Sequence, residues 1–167
     1  LGELDEAKLE LMFQVNIAGM ARVTDVVAPL LGEGSAIVNI GSTFGSLPFP
    51  GFAAYSAAKA GLRGFSQALR RELADSLVAV IHLAPRAIDT PLNSDAVKAL
   101  NRALKNHSDS AEEVARQVVR ALRRGHGEHH FGFPERLFAW LNGVAPSLID
   151  RGLAGKLAII KQHGSSS

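Results

Sequence analysis

The sequence has 167 residues, 47% of them hydrophobic and 20% charged, with 18 basic against 16 acidic side chains and a formal charge of +2. Those figures describe one globular domain with its own core and exclude a disordered chain, which needs fewer apolar residues and more net charge. There is no cysteine, which excludes a disulfide framework, thiol catalysis and a cysteine-ligated metal. The small basic excess leaves no footprint for nucleic acid.

Leu9, Phe13, Ile17, Met20, Thr24, Val27 and Leu31 recur at helical spacing, which predicts a helix over residues 5–31 with Pro29 near its end. After the turn Gly32-Glu33-Gly34-Ser35 comes Ala36-Ile37-Val38-Asn39-Ile40, a short β-branched run that suits a strand buried on both faces of a parallel sheet. A loop rich in Gly, Pro and Phe covers 41–51. A second helix is expected over 53–75, dense in Ala, Leu and Arg, and a second strand over 77–83, stopped by Pro85. Residues 89–108 read as polar and mobile. Ser110-Ala111-Glu112-Glu113 is a capping box that opens a helix to about residue 124. One short strand fits within 125–134. A last helical stretch places Leu137, Leu141, Val144 and Leu148 on one face, and Gly164-Ser165-Ser166-Ser167 makes a frayed tail. No repeat or linker divides the chain, so residues 1–167 are expected to be one domain, with 135–167 as a helical C-terminal extension and tail. No apolar run reaches the length of about 18 residues that a membrane span needs. With Glu3, Asp5 and Glu6 near the start, neither a spanning helix nor a signal peptide is expected, and the cytoplasm is the expected location.

Helix and strand alternate three times, so the fold class is α/β with parallel strands and right-handed crossovers. In such sheets ligands sit beyond the carboxyl ends of the strands. Those ends are Gly41-Ser42 and Ala84-Pro85-Arg86, which open on the same edge. Tyr55 and Lys59, four apart near the start of the second helix, share one face. A free phenol titrates near pH 10, too high for easy proton exchange at neutral pH, and a neighbouring ammonium favours the phenolate. The pair is a candidate proton-transfer unit, and Ser42 at the strand end is placed to polarise a carbonyl. An ordinary amphipathic helix would also carry such a pair.

The context favours the chemical reading. Tyr55 is the one tyrosine of the chain, thirteen residues after Ser42 in Ile40-Gly41-Ser42, and it lies in Ala54-Tyr55-Ser56-Ala57-Ala58-Lys59-Ala60-Gly61. With Asn16 in Val15-Asn16-Ile17-Ala18-Gly19, these residues resemble the classical short-chain dehydrogenase/reductase family over nearly the whole stretch from Leu4 to Pro134. The resemblance implies hydride transfer between NAD or NADP and a carbonyl or alcohol carbon. In it, Tyr55 exchanges the proton, Lys59 tunes the phenol and holds the nicotinamide ribose, Ser42 binds the substrate oxygen, and Asn16 holds a water that links Lys59 to solvent. Pro85, Arg86, Ile88 and Thr90 match the cofactor-facing run after the next strand. Arg86 stands where the family usually has glycine, which costs backbone freedom if φ must be positive; an ordinary solvated loop residue is the alternative there.

The resemblance further implies a partial Rossmann-like doubly wound sheet, because the glycine-rich phosphate turn and the residue that reads the adenosine ribose are not in this sequence. The chain is therefore expected to be a C-terminal catalytic portion with little activity alone, and its NAD or NADP preference is unreadable. The two long helices resemble the family's dimer helices, so a homodimer or homotetramer is expected. The apolar stretch 134–161 suits a lid over a lipophilic substrate or an oligomer contact better than a membrane surface. A non-catalytic interaction or oligomerisation module is the rival reading. His126, His129 and His130 fit a polar loop better than a metal site, and His82 reads as a satisfied core histidine.

Overall fold

A computed structural model describes residues 5–91, 93–104 and 106–164. Asp5 caps the first helix, its carboxylate accepting from the backbone of Ala7 at 3.1 Å and Lys8 at 3.3 Å. The expected helix over 5–31 is broken into pieces: α1 (Glu6–Phe13), a π-turn (Gln14–Ala18), α2 (Gly19–Val27) and a closing 3-10 turn (Ala28–Leu30). At the π-turn Ile17 presses on Gly61 of α3 (Ala53–Glu72), where a Cβ would come within 2.6 Å of the Ile17 Cδ1 atom.

Strands β1 (Ala36–Ile40), β2 (Ala79–Ala84) and β3 (Gly127–His130) form a parallel sheet in the order β1-β2-β3. Ile40 pairs with Leu83, and Leu83 pairs with His129. Parallel pairing needs crossovers: α3 links β1 to β2, and α4 (Asp95–Ala103) with α5 (Ala111–Arg124) links β2 to β3. Strand β2 starts two residues later than the apolar run suggests, because Leu77 takes a φ of 58° and still belongs to the turn. Strand β1 also departs from expectation. It lies at the sheet edge, and Ile40 is 43% exposed rather than covered on both faces.

Alternation across the pleat gives the sheet two distinct faces. Ile81, Leu83, Phe131 and Ala121 of α5 make an apolar layer, joined by Val38, Val114 and Val118. The N-cap half of the capping box forms, with the Ser110 hydroxyl accepting from the Glu113 backbone at 3.2 Å, while the Glu113 carboxylate turns to Arg116 and Gln117. The α3 face is polar at its centre. Asn39, His82 and Glu128 stand side by side across the three strands. Asn39 donates to the Ser66 hydroxyl at 2.9 Å, and Ser66 donates to the Leu62 carbonyl at 2.7 Å. The one Ser66 proton is thus used, so the His82 Nδ1, 3.3 Å away, is the donor of that pair. His82 is only half satisfied: its buried Nε2 has no partner among the described residues.

The C-terminal stretch is three helices, α6 (Phe133–Val144), α7 (Pro146–Ala154) and α8 (Leu157–Gly164). Helix α8 packs on α4, with Ile160 and Leu100 both buried. In α6 Phe133 is 75% and Trp140 63% exposed, and both line a cavity with Arg63, Glu128 and His130, while Asn142 donates to the Ser46 carbonyl at 3.0 Å. Helix α4 itself was not expected. It is short and amphipathic, and the Ser94 hydroxyl caps it through the Val97 backbone at 3.3 Å. Among the described residues no helix is long and apolar enough to cross a membrane.

Candidate active site

The carboxyl ends of β1 and β2 are joined backbone to backbone. The Gly41 N–H donates to the Leu83 carbonyl at 2.7 Å and the Thr43 N–H to the Pro85 carbonyl at 2.9 Å. Glycine at 41 is required by contact, because a Cβ there would overlap the His82 ring and sit 3.1 Å from the Leu83 carbonyl oxygen. Ser42 then takes extended backbone, and its hydroxyl accepts from the Phe44 N–H at 3.2 Å, which opens the 3-10 turn Thr43–Gly45. That turn rests directly on α3: a Cβ on Gly45 would lie 2.7 Å from the Lys59 carbonyl oxygen.

Ser42, Tyr55 and Lys59 therefore meet at one edge of the sheet. The Lys59 Nζ lies 5.6 Å from the centre of the Tyr55 ring and donates to the Ile40 carbonyl at a long 3.4 Å. Burial raises the Tyr55 phenol above its ordinary range, and hydrogen bonding with Ser42 pulls the other way. Burial lowers the Lys59 ammonium. The phenol is thus protonated at neutral pH. Asn16 sits in the π-turn and donates its side-chain amide to the Met12 carbonyl at 2.9 Å. Beside Tyr55 the sequence reading missed an aromatic wall. Phe44 stacks on Phe49 with centroids 5.3 Å apart and meets the Tyr55 ring edge-on at 6.3 Å, while Phe52 lies 5.3 Å from Phe44. The density of Phe in residues 44–52 was the available signal.

The run after β2 is placed differently from a simple cofactor contact. The Pro85 carbonyl is taken by Thr43. Arg86 does not adopt a positive φ, so replacing glycine costs no strain there. Its guanidinium makes a bidentate pair with Asp109, at 2.8 and 2.6 Å. What position 86 can offer a cofactor is its backbone. Ile88 and Thr90 are half-buried, and the Ile88 carbonyl accepts from the Asn93 side chain at 2.5 Å.

Of the histidines near β3, His130 serves a carboxylate, while the buried His129 Nε2 has no partner among the described residues. Glu128 accepts from Arg63 at 2.5 Å and Gln67 at 3.0 Å, and the His130 Nε2 lies 2.9 Å away. Among the described residues no three metal-ligating side chains converge. Burial alone would raise the Glu128 carboxyl, but the contacts with His130, Arg63 and Gln67 overcome it and hold it well below the ordinary carboxylate range. Burial lowers His82 to about 4; Glu128 opposes this, while Arg63, His130 and Lys59 add to it. Both folded-state values lie below the unfolded ones, so the unfolded chain binds more protons in acid. Stability is expected to hold above about pH 6.5 and to fall as His82 protonates on unfolding, with Glu128 adding a further loss below about pH 4.5. Denaturant midpoints measured from pH 8 to 4 check this. A midpoint unchanged between pH 7 and 5 would contradict it.

The family model described as short chain dehydrogenase matches residues 1–101. Over 122 residues the chain is 34% identical to a sulfoacetaldehyde reductase of Chromohalobacter salexigens, covering 68% of this chain and 48% of that protein. Over 156 residues it is 30% identical to a 3-ketodihydrosphingosine reductase of Dictyostelium discoideum, covering 86% and 46%. The fold matches a short chain dehydrogenase from Burkholderia cenocepacia J2315 in complex with NADP, with a TM-score of 0.64 and 27% identity over 72% of this chain and 51% of that one. The chain spans about half the length of the curated relatives it matches. With the family pattern running through α1, β1 and α3 and identities of 30% or more across over two thirds of the chain, this protein belongs to the short-chain dehydrogenase family.

Proposed function

We propose that the protein is an oxidoreductase that moves a hydride between NAD or NADP and the carbonyl or alcohol carbon of a small molecule, with Tyr55 exchanging the proton. The observation that carries this reading is the half-buried Tyr55 between Ser42 and Lys59 at the carboxyl edge of a parallel sheet. The residues present fit the nicotinamide end of such a cofactor. The Lys59 ammonium spends one long hydrogen bond on Ile40 and keeps donors for ribose hydroxyls. The cofactor, when bound, supplies the hydride.

The chain's own residues manage the proton. Ser42 orients the substrate oxygen, and the protonated Tyr55 gives its proton to that oxygen as charge develops. Lys59 holds the ribose and lowers the cost of the phenolate that remains. Asn16, one helix layer behind, holds the water through which Lys59 is reprotonated. Because the sequence has no glycine-rich phosphate turn, the chain by itself is expected to turn over little. The aromatic wall beside Tyr55 favours an apolar substrate. A homo-oligomer through the long helices is supported by Leu11, Val15, Val23 and Val26, all at least 60% exposed, and by the small exposed stripe Ala53, Ala57, Ala60, Gly64 and Ala68 along α3.

Titration of the full-length protein with NADPH and NADH, read by nucleotide fluorescence, tests the reading. Saturable binding with oxidation of the nucleotide on adding a ketone or aldehyde supports it. Binding of neither nucleotide leaves the non-catalytic module in its place.

A further inference from the structure

The chain leaves the strand ends at Pro85, runs out through α4, and returns to the same place at Asp109. The backbone closes that excursion with a short parallel bridge between Ile88 and Asp109. The Asp109 N–H donates to the Ala87 carbonyl at 2.8 Å, and the Asp89 N–H to the Asp109 carbonyl at 2.9 Å. The carboxylate of Asp109 is 3% exposed, a burial that a charged group sustains only with a partner. Arg86 is its hydrogen-bonded partner, through two parallel N–H···O bonds of the fork geometry that lysine cannot reproduce, and the His107 Nε2 lies 3.7 Å from the same carboxylate. Its remaining nitrogen lies 3.7 Å from Glu135 in the first turn of α6. Gly132 leaves the room for this, since a Cβ there would overlap the Glu135 carboxylate and sit 3.0 Å from Arg86.

We propose that Arg86 and Asp109 form a clamp at the base of the α4 excursion, which positions Ile88 and Thr90 against the strand ends and so sets how tightly the nicotinamide end of a cofactor is held. Arg86 is a positioning residue here, acting through Asp109 and the backbone bridge. The neighbouring peptide ties the same clamp to Ser42, because the Pro85 carbonyl accepts from both the N–H and the hydroxyl of Thr43. The part that concerns the cofactor rests on the proposed oxidoreductase reading; the clamp itself does not.

Amide hydrogen exchange on the full-length protein, comparing wild type with Asp109→Asn, separates the two. Asparagine keeps the shape and the backbone bridge and removes the charge that grips the guanidinium. Exchange in α4 is expected to speed up by roughly tenfold or more while β1 and β2 stay protected. Arg86→Lys, which keeps the charge without the fork, is expected to fall between the two proteins, and it carries the comparison if Asp109→Asn does not fold. In steady-state assays the cofactor KM is expected to rise by about the same factor with kcat within about twofold, the pattern of lost binding rather than lost chemistry. Unchanged exchange in α4, or acceleration spread equally over the sheet, would overturn the clamp. Faster α4 exchange in a protein that binds neither NADPH nor NADH would uphold the clamp and remove the cofactor reading.

Discussion

Tyr55→Phe is expected to lower turnover of the full-length protein by about a hundredfold to ten-thousandfold, the range a positioned proton donor contributes. The substitution removes one oxygen and little else. The ring keeps its edge-on contact with Phe44 at 6.3 Å and its place beside the Lys59 ammonium, so the fold and the ribose-holding lysine are retained. Cofactor affinity should therefore change by no more than about twofold, and the loss should appear in kcat. The direction of the pKa shifts adds a second expectation. Burial keeps the phenol protonated at neutral pH, which is the form that donates during carbonyl reduction. Reduction should be insensitive to pH from about 6 to 8 and fail only as the phenol ionises, whereas alcohol oxidation should rise with pH. Stopped-flow or steady-state assays in both directions read this. Turnover retained by Tyr55→Phe would remove the tyrosine from the reaction and return Ser42 and Lys59 to ordinary structural positions.

What was legible in the sequence was whatever a short window encodes. The β-branched run 36–40, the N-cap at Ser110 and the alternation of helix with strand are local patterns, and each appears where expected. The meeting of Ser42 with α3 followed from topology, because strand ends of a parallel sheet open on one edge. What was not legible depends on partners far along the chain. The π-turn that holds Asn16 coincides with the contact between Ile17 and Gly61, and nothing within 5–31 records that contact. Helix α4 is only nine residues long, so its amphipathic pattern is brief, and its buried Leu100 faces a helix some sixty residues later. Arg86 looked like an interrupted glycine position until Asp109 supplied the reason for it. The histidines around β3 looked like ligands or loop residues, and instead one of them helps Arg63 and Gln67 hold a buried carboxylate.

The contact that joins the two halves of the candidate site carries the other large expectation. Gly45→Ala adds a single methyl group, and it adds it where two backbones touch. The new Cβ would stand 2.7 Å from the Lys59 carbonyl oxygen, 2.8 Å from its carbon and 3.2 Å from the Ala60 nitrogen. None of those atoms can swing aside, because they belong to the helical backbone of α3. The Gly45 backbone itself needs no positive φ, so the penalty is one of space. Either the 3-10 turn lifts from α3 or the helix shifts, at a cost of about 1–3 kcal/mol. Thermal and denaturant unfolding should register that loss. Both escapes also move Ser42 relative to Tyr55, since the Ser42 hydroxyl is bound to the Phe44 N–H in that same turn. A displacement of the order of 1 Å in a reacting geometry is worth about a hundredfold in rate, so the variant should lose turnover even at temperatures where it remains folded. Gly152→Ala in α7 is the control, for a Cβ there meets nothing within 4 Å and replaces glycine in a helix interior with the better helix former. If Gly45→Ala matched that control in both stability and turnover, the tight seating of the Ser42 turn on α3 would not be what aligns serine, tyrosine and lysine.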